Sequence, residues 1–185
     1  MKAWQRSLVA ACALLLLFGG TAYAQVSDTT PVEFSYTGNR TAVWIVAQLH
    51  TLFGAFILGA PIFVVISEWL GYRKQDLRYE RLAKEVTKVT VVLFSMTALT
   101  GGLFIFVLLS AYPQFTAWFI NQFHLVFAVI YPSLFISGTI VLYMYYYTWE
   151  TWKGEKKGRH IALGVRLILI GTVTLFGING PTTFM

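Results

Sequence analysis

The amino-acid sequence predicts an all-α integral membrane protein, a four-transmembrane-helix bundle that follows a cleaved signal peptide. Three observations lead to this fold class. Hydrophobic residues make up 57% of the chain and charged residues only 12%, a composition typical of membrane proteins rather than soluble domains. The amino terminus carries a secretory signal pattern. Four later stretches are apolar over the roughly 20 residues that a spanning helix needs.

Residues 1–24 are predicted to be the signal peptide. Lys2 and Arg6 provide the positive charge, residues 8–18 form the apolar centre, and small residues mark the cleavage site at the end. A lipoprotein signal that ends at Cys12 is the alternative, but it would leave too few apolar residues before the cysteine. Because this cysteine is the only one in the chain, we expect no disulfide, thiolate metal site or c-type haem attachment motif in the mature protein.

The mature chain divides into a polar external tail, residues 25–40, and a membrane bundle, residues 41–181. The four predicted spans of the bundle are residues 41–70, 86–110, 118–149 and 161–178. The longer stretches must tilt or extend beyond the hydrocarbon of the bilayer.

The loop charges predict the orientation of the bundle. Basic residues cluster in two loops, namely Arg73, Lys74, Arg78, Arg81, Lys84 and Lys88 between the first two spans, and Lys153, Lys156, Lys157 and Arg159 between the last two. By the positive-inside rule these loops are cytoplasmic, so both mature termini are outside a bacterial inner membrane that the chain crosses several times. The basic charge is thus explained by topology and lipid headgroups, and nothing indicates nucleic-acid binding.

Two histidines lie within the apolar stretches. An ionisable residue at membrane depth is costly, and haem ligation, quinol contact or proton transfer are the usual reasons for one. If Trp44 and Trp118 mark the outer aromatic belt, His50 and His124 each lie about six residues, or roughly 9 Å, into their helices. Facing imidazoles at one depth would form a bis-histidine haem site. The alternatives are a helix–helix hydrogen bond for His50 and an interfacial position for His124.

Other residues extend this hypothesis. Gly54 follows His50 by one turn and would let a flat macrocycle approach the helix closely. Glu68, near the cytoplasmic end of the first span, either pairs with Arg73, contributes to proton entry or snorkels to the interface. His160 stands at the edge of the last span, where we expect an interfacial side chain.

Residues 48–68, with the sequence QLHTLFGAFILGAPIFVVISE, resemble the first helix of subunit I of cytochrome bd-type quinol oxidases. There a histidine is followed by an apolar run with a Leu-Gly pair and, one helix length later, by a glutamate before a basic loop. The similarity continues through residues 98–101, 149–150 and 179–180. It extends over about residues 40–181 and corresponds to the amino-terminal four-helix part of a longer subunit.

The resemblance implies roles for individual residues. His50 matches a first-helix histidine that is an axial haem ligand at the oxygen-reducing centre, so a b-type or d-type haem is the expected cofactor. Glu68 matches the acidic position that closes the same helix. Two carboxylates of the family's third helix correspond here to Ile130 and Gly138. The later helices, which carry the ligands of the low-spin haem and the quinol-binding loop, have no counterpart in the chain.

Two functions are therefore considered. The first is a haem-binding membrane subunit of a bd oxidase-like respiratory complex, linked to quinol or to a periplasmic cytochrome. Partner membrane subunits would supply the remaining haem ligands and the quinol site, and the chain alone is not expected to reduce oxygen. The alternative is a haem-free membrane anchor for a periplasmic or membrane redox enzyme.

Overall fold

The computed structural model describes residues 29–183, so the predicted signal peptide and the start of the predicted tail lie outside the described residues. Four helical spans in this part of the chain are long and apolar enough to cross a membrane, which confirms the predicted fold class. The helices are α1 Asn39–Lys74, α2 Leu77–Ala111, α3 Pro113–Gln122, α4 Tyr131–Tyr147 and α5 Lys157–Thr183, with a π-helix at Val126–Ile130 before α4 and a 3-10 helix at Gly154–Lys156 before α5.

A two-residue turn joins α1 to α2. Gln75 adopts the left-handed conformation, with φ 54° and ψ 34°, which ends α1 and reverses the chain. Asp76 then begins α2, because its side chain accepts a hydrogen bond from the backbone N–H of Arg78 at 2.9 Å. This tight turn makes α1 and α2 an antiparallel hairpin over nearly their whole length.

The third predicted span differs from the prediction, because it is divided. α3 ends at Gln122, and Phe123 leaves the helical conformation. The chain continues as a π-helix, in which the N–H of Tyr131 bonds to the carbonyl of Val126, and Pro132 follows in the first turn of α4. Proline lacks an N–H and crowds the carbonyl four residues before it, so a wider turn accommodates it. The spanning segment is therefore Val126–Tyr147.

The four long helices close into a bundle. α1 packs against α2 and α5, and α4 packs against α5 and α2. Glu150, in the connection between α4 and α5, pairs with Lys84 of α2 and with Lys153, whose Nζ lies 2.5 Å away. This contact places the α1–α2 turn and the α4–α5 connection at the same end of the bundle, hereafter the basic end. The opposite end, hereafter the far end, carries residues 29–38 and 111–125.

The best-packed core lies near the basic end. Val64, Ala83, Tyr145, Trp149 and Leu163 form a buried cluster drawn from all four long helices and the start of the α4–α5 connection. The described part of the tail packs at the far end, where the N–H of Val32 bonds to the carbonyl of Ser110 at 2.9 Å. Elsewhere many large apolar side chains are exposed on the outside of the bundle, as expected for surfaces that face lipid or another subunit.

Close approach of α5 to its neighbours depends on one glycine. A methyl group at Gly164 would overlap the side chains of Val65 on α1 and Tyr145 on α4. Small residues of this kind let spanning helices pack backbone against side chain. Gly164 therefore sets the distance between α5 and the side chains that form the buried polar cluster described below.

Candidate functional site

His50 points from α1 toward α2. Its Nδ1 lies 3.2 Å from the carbonyl oxygen of Thr97 and 3.3 Å from Oγ1 of Thr100. The ring stacks on Phe104 with the centroids 6.3 Å apart and the planes 24° apart. The side chain is only partly buried by the rest of the chain. Its position is thus fixed by α2 on one side and open on the other.

The acceptor at Nδ1 determines the tautomer of this histidine. A backbone carbonyl only accepts hydrogen bonds, so the contact with Thr97 requires a hydrogen on Nδ1. In a neutral imidazole the lone pair then lies on Nε2. Nε2 has no hydrogen-bond partner within residues 29–183. This is the arrangement that metal-binding histidines usually adopt, with one nitrogen bonded to a carbonyl and the other presented to the metal.

Glycines leave room around the ring. A methyl group at Gly101 of α2 would lie 2.9 Å from Cε1 of His50, closer than unbonded carbons approach one another, so only glycine allows the imidazole to rest against this helix. A methyl group at Gly54, one turn along α1 from the histidine, would meet no atom within 4 Å. The space beside Gly54 is therefore open, and a flat ligand could occupy it next to His50.

A haem would fit the residues that surround His50. One protein nitrogen with a free lone pair is enough to hold a haem axially, because the porphyrin supplies the other four nitrogens. Within residues 29–183 no group of three or more histidine, cysteine or acidic side chains could form a site for a bare metal ion. The chemistry of the donor at His50, together with the open space beside Gly54, is therefore compatible with a haem.

The structure does not bring His124 together with His50. His124 follows the break at Phe123 and precedes the π-helix, so it does not lie six residues into one continuous helix as the sequence predicts. Its side chain is exposed, and Nδ1 lies 3.3 Å from the carbonyl of Asn121. Within the described residues, no hydrogen bond or ring contact links the two histidines.

A second group of ionisable side chains lies buried near the basic end. Glu68 of α1 is fully buried, and both of its carboxylate oxygens have partners. Oε1 lies 2.6 Å from Nδ1 of His160 and 2.8 Å from Nζ of Lys157, both on α5. Oε2 accepts a hydrogen bond from the hydroxyl of Tyr145 on α4. We call Glu68, Tyr145, Lys157 and His160 the buried polar cluster.

His160 is the centre of this cluster. Its Nε2 lies 2.8 Å from the backbone carbonyl of Tyr145, and its ring stacks on the Tyr145 ring with centroids 4.3 Å apart. Trp149 meets it edge-on at 4.9 Å. The side chain is 0% exposed, so the prediction of an interfacial residue is wrong. The aromatic rings exclude water, and the hydrogen bonds satisfy both ring nitrogens.

The environment of Glu68 also corrects two expectations. The carboxylate does not snorkel to the interface, because it is completely enclosed. It does not pair with Arg73, whose guanidinium instead lies over the ring of Trp69 at 5.4 Å. The helical spacing of Lys157, His160 and Gly164 could have indicated that these residues share one face of α5. That face is turned toward the core.

The charges outside the buried polar cluster form a separate surface group. Lys153 and Lys84 hold the pKa of Glu150 at about 2, well below its ordinary value, by hydrogen bonds to the ionised carboxylate. Glu80 of α2 links the two regions, because one of its oxygens lies 3.4 Å from Nζ of Lys157 while its side chain keeps 27% of its surface exposed. The interior cluster therefore reaches the surface through Glu80.

Comparison with known proteins identifies one family. The sequence profile of cytochrome bd terminal oxidase subunit I matches residues 39–182, which cover the four spanning helices except for the last residue of α5. No curated protein and no solved structure matches the chain. The match begins at the first residue of α1 and includes His50 and the buried polar cluster.

Proposed function

The chain belongs to the cytochrome bd terminal oxidase subunit I family, and we propose that it is a haem-binding membrane subunit of a bd-type respiratory complex. His50 would be an axial ligand of a b-type or d-type haem. The observation that carries this proposal is the hydrogen bond from Nδ1 of His50 to the carbonyl of Thr97, which leaves the lone pair of Nε2 available. A bound haem would supply a reversible iron redox couple for electron transfer.

The residues around His50 have distinct tasks in this proposal. Thr97 and Thr100 orient the imidazole and keep the hydrogen on Nδ1. Gly101 lets the ring lie against α2, and Gly54 leaves space beside it for the edge of a macrocycle. Orientation by α2 reduces the freedom that His50 would otherwise lose on binding a haem.

Partner membrane subunits are part of the proposal. Gly138, at a position where the family resemblance calls for a carboxylate, packs toward Ile170 of α5 and offers no ionisable group. Further haem ligands and the quinol site would therefore come from other chains, and a quinol or a periplasmic cytochrome would donate electrons. Exposed apolar residues in the half of the bundle away from the basic end, such as Leu99, Phe106 and Phe176, are compatible with such a neighbour.

We also propose that the basic end faces the cytoplasm of a bacterial inner membrane, with both mature termini outside. The clustering of the loop lysines and arginines at one end of the bundle supports this orientation. A carboxy-terminal reporter that is active only in the periplasm should be active, and amino-terminal sequencing of the mature protein should begin near Gln25. A reporter active only in the cytoplasm would contradict the orientation.

The alternative function is a haem-free membrane anchor. The contact between His50 and Thr97 also ties α1 to α2, so it would hold the helices together without any cofactor. The two functions are distinguished by the reduced-minus-oxidised visible spectrum of the complex isolated through this chain. A haem subunit predicts reducible haem bands that respond to added quinol or reduced cytochrome. An anchor predicts a preparation of this chain without haem.

A further inference from the structure

The hydrogen bonds of His160 require that Glu68 and His160 share one proton between them. Nε2 faces the carbonyl of Tyr145, which only accepts, so Nε2 carries a hydrogen. Nδ1 faces a carboxylate oxygen at 2.6 Å, and this contact needs one hydrogen between the two atoms. The pair is therefore either imidazolium with carboxylate or imidazole with carboxylic acid. An imidazole facing an ionised carboxylate would set two lone pairs against each other in a water-free site.

The net charge of the side chains around the Glu68–His160 pair favours one shared proton. The groups that face the pair are Tyr145 from α4, Lys157 from α5 and, through Lys157, Glu80 from α2. The Glu68–His160 pair is neutral in both forms, and the positive charge of Lys157 cancels the negative charge of Glu80. The net charge of the four side chains is therefore zero. The site is thus neutral with one shared proton and would be charged without it, which is unfavourable in a buried position.

A graded path connects the shared proton to water at the basic end. The exposed fraction falls from 27% at Glu80 to 3% at Lys157 and 0% at Glu68. Lys157 contacts both carboxylates, at 3.4 Å and 2.8 Å. It can therefore give a proton to the buried pair and take its replacement from Glu80 or from water that reaches Glu80.

We propose that the buried polar cluster is a proton-relay site, in which Glu80 and Lys157 carry protons between water at the basic end and the Glu68–His160 pair. A proton arrives at Glu80 from water, Lys157 passes one of its own to the Glu68–His160 pair, and Lys157 is reprotonated from Glu80. The pair then holds two protons, as imidazolium and carboxylic acid, and release follows the same steps in reverse until one shared proton remains. His160 holds the proton between deliveries. Its use in an oxidase complex rests on the proposed function, but the relay itself does not.

The protonation state is tested without any haem. The chain has only three histidines, so nitrogen resonances of ¹⁵N-histidine-labelled protein in lipid nanodiscs can be assigned with one variant of each. We expect either a doubly protonated His160 ring or a neutral ring with an infrared band of protonated carboxyl that disappears in Glu68→Gln. A neutral ring together with an ionised Glu68 would overturn the proposal.

Exchange with solvent distinguishes a relay from a static ion pair. In deuterium oxide the ring hydrogens of His160 should exchange faster than the neighbouring backbone amides of α5, and Lys157→Met should slow that exchange. Lys156→Met is the matched control, because Lys156 is exposed and lies outside the cluster. Exchange of the ring hydrogens as slow as that of the amides, or equal exchange in both variants, would overturn the relay.

Haem content distinguishes this proposal from the proposed function. Absence of haem in the isolated complex would contradict the proposed function alone, and the exchange measurements would still decide the relay.

Discussion

Nδ1 of His160 lies 2.6 Å from Oε1 of Glu68, and both side chains are fully buried. The contact joins α5 to α1 at the basic end, and Tyr145 adds α4 to it. Removing one member of such a group leaves the others as uncompensated charges in a water-free site. The packing of the helices at this end therefore depends on all members being present.

Replacing Glu68 should destabilise the folded chain strongly. In Glu68→Ala the ammonium group of Lys157 and Nδ1 of His160 lose their buried partner, so the free energy of unfolding should fall by about 3–5 kcal/mol. Denaturant unfolding in detergent micelles, followed by circular dichroism, measures the change. Glu85→Ala is the control, because Glu85 is exposed and pairs with the exposed Lys88, and such surface pairs contribute little. A similar loss of unfolding free energy in the two variants would show that the buried polar cluster stabilises the fold no more than a surface ion pair does.

Adjacent glycines on α2 allow a second comparison. In Gly101→Ala the new methyl group would push the His50 ring away by about 0.5 Å or more, because carbons pack at about 3.5–4.0 Å. The haem bands of the isolated complex should shift or weaken. Gly102→Ala gains the same helix propensity but meets no atom within 4 Å, so its spectrum should match that of the parent protein. Equal spectra for both variants would mean that the ring position does not matter to the haem.

The ion pairs of Glu150 with Lys84 and Lys153 predict that the stability of the folded chain depends on pH. Lys153 and Lys84 lower the pKa of Glu150 from 4.5 to about 2 in the folded chain. A lowered pKa means that the ionised carboxylate stabilises the fold above the unfolded-state value, and that this contribution is lost as the pH falls from about 4.5 to about 2. The stability difference between the parent protein and Glu150→Gln should therefore shrink across this interval.

Salt provides the control for this prediction. Glu150 is exposed, so high ionic strength should reduce the stability difference at neutral pH as well. The assignment to Glu150 ionisation would be contradicted if the stability difference between the parent protein and Glu150→Gln stayed constant from about pH 6 to about pH 2.

Much of the fold could be predicted because it follows from local rules. Apolar stretches of sufficient length and basic loops between them predicted four spans, and the tight turn at Gln75 and Asp76 falls within the first basic loop. The break near Phe123 could not be predicted in this way. Hydropathy averages over many residues, so it does not detect a single non-helical residue or the π-helix that precedes Pro132.

The sequence likewise reveals some residues of the candidate sites and not others. His50 and Glu68 were found because ionisable groups in apolar stretches are conspicuous. The sequence around His160 does not reveal its burial, because Arg159 and the nearby Lys156 and Lys157 are typical of an interface. Its burial depends on α4, whose Tyr145 and Trp149 cover it, and such a long-range contact cannot be derived from neighbouring residues in the sequence. The proposed roles of His50, Gly54 and His124 in haem binding stay predictions.

The most direct test of the proposed function is the haem content of His50→Ala compared with that of His124→Ala. Both variants should insert, because alanine favours the helix, and both complexes are isolated through this chain and normalised to protein. We predict that His50→Ala loses haem or shifts its Soret and alpha bands, while His124→Ala, altered at an exposed side chain, remains nearly normal. A bis-histidine haem would instead change in both variants. Full haem content with an unaltered spectrum in His50→Ala would contradict the haem-subunit function and favour the anchor.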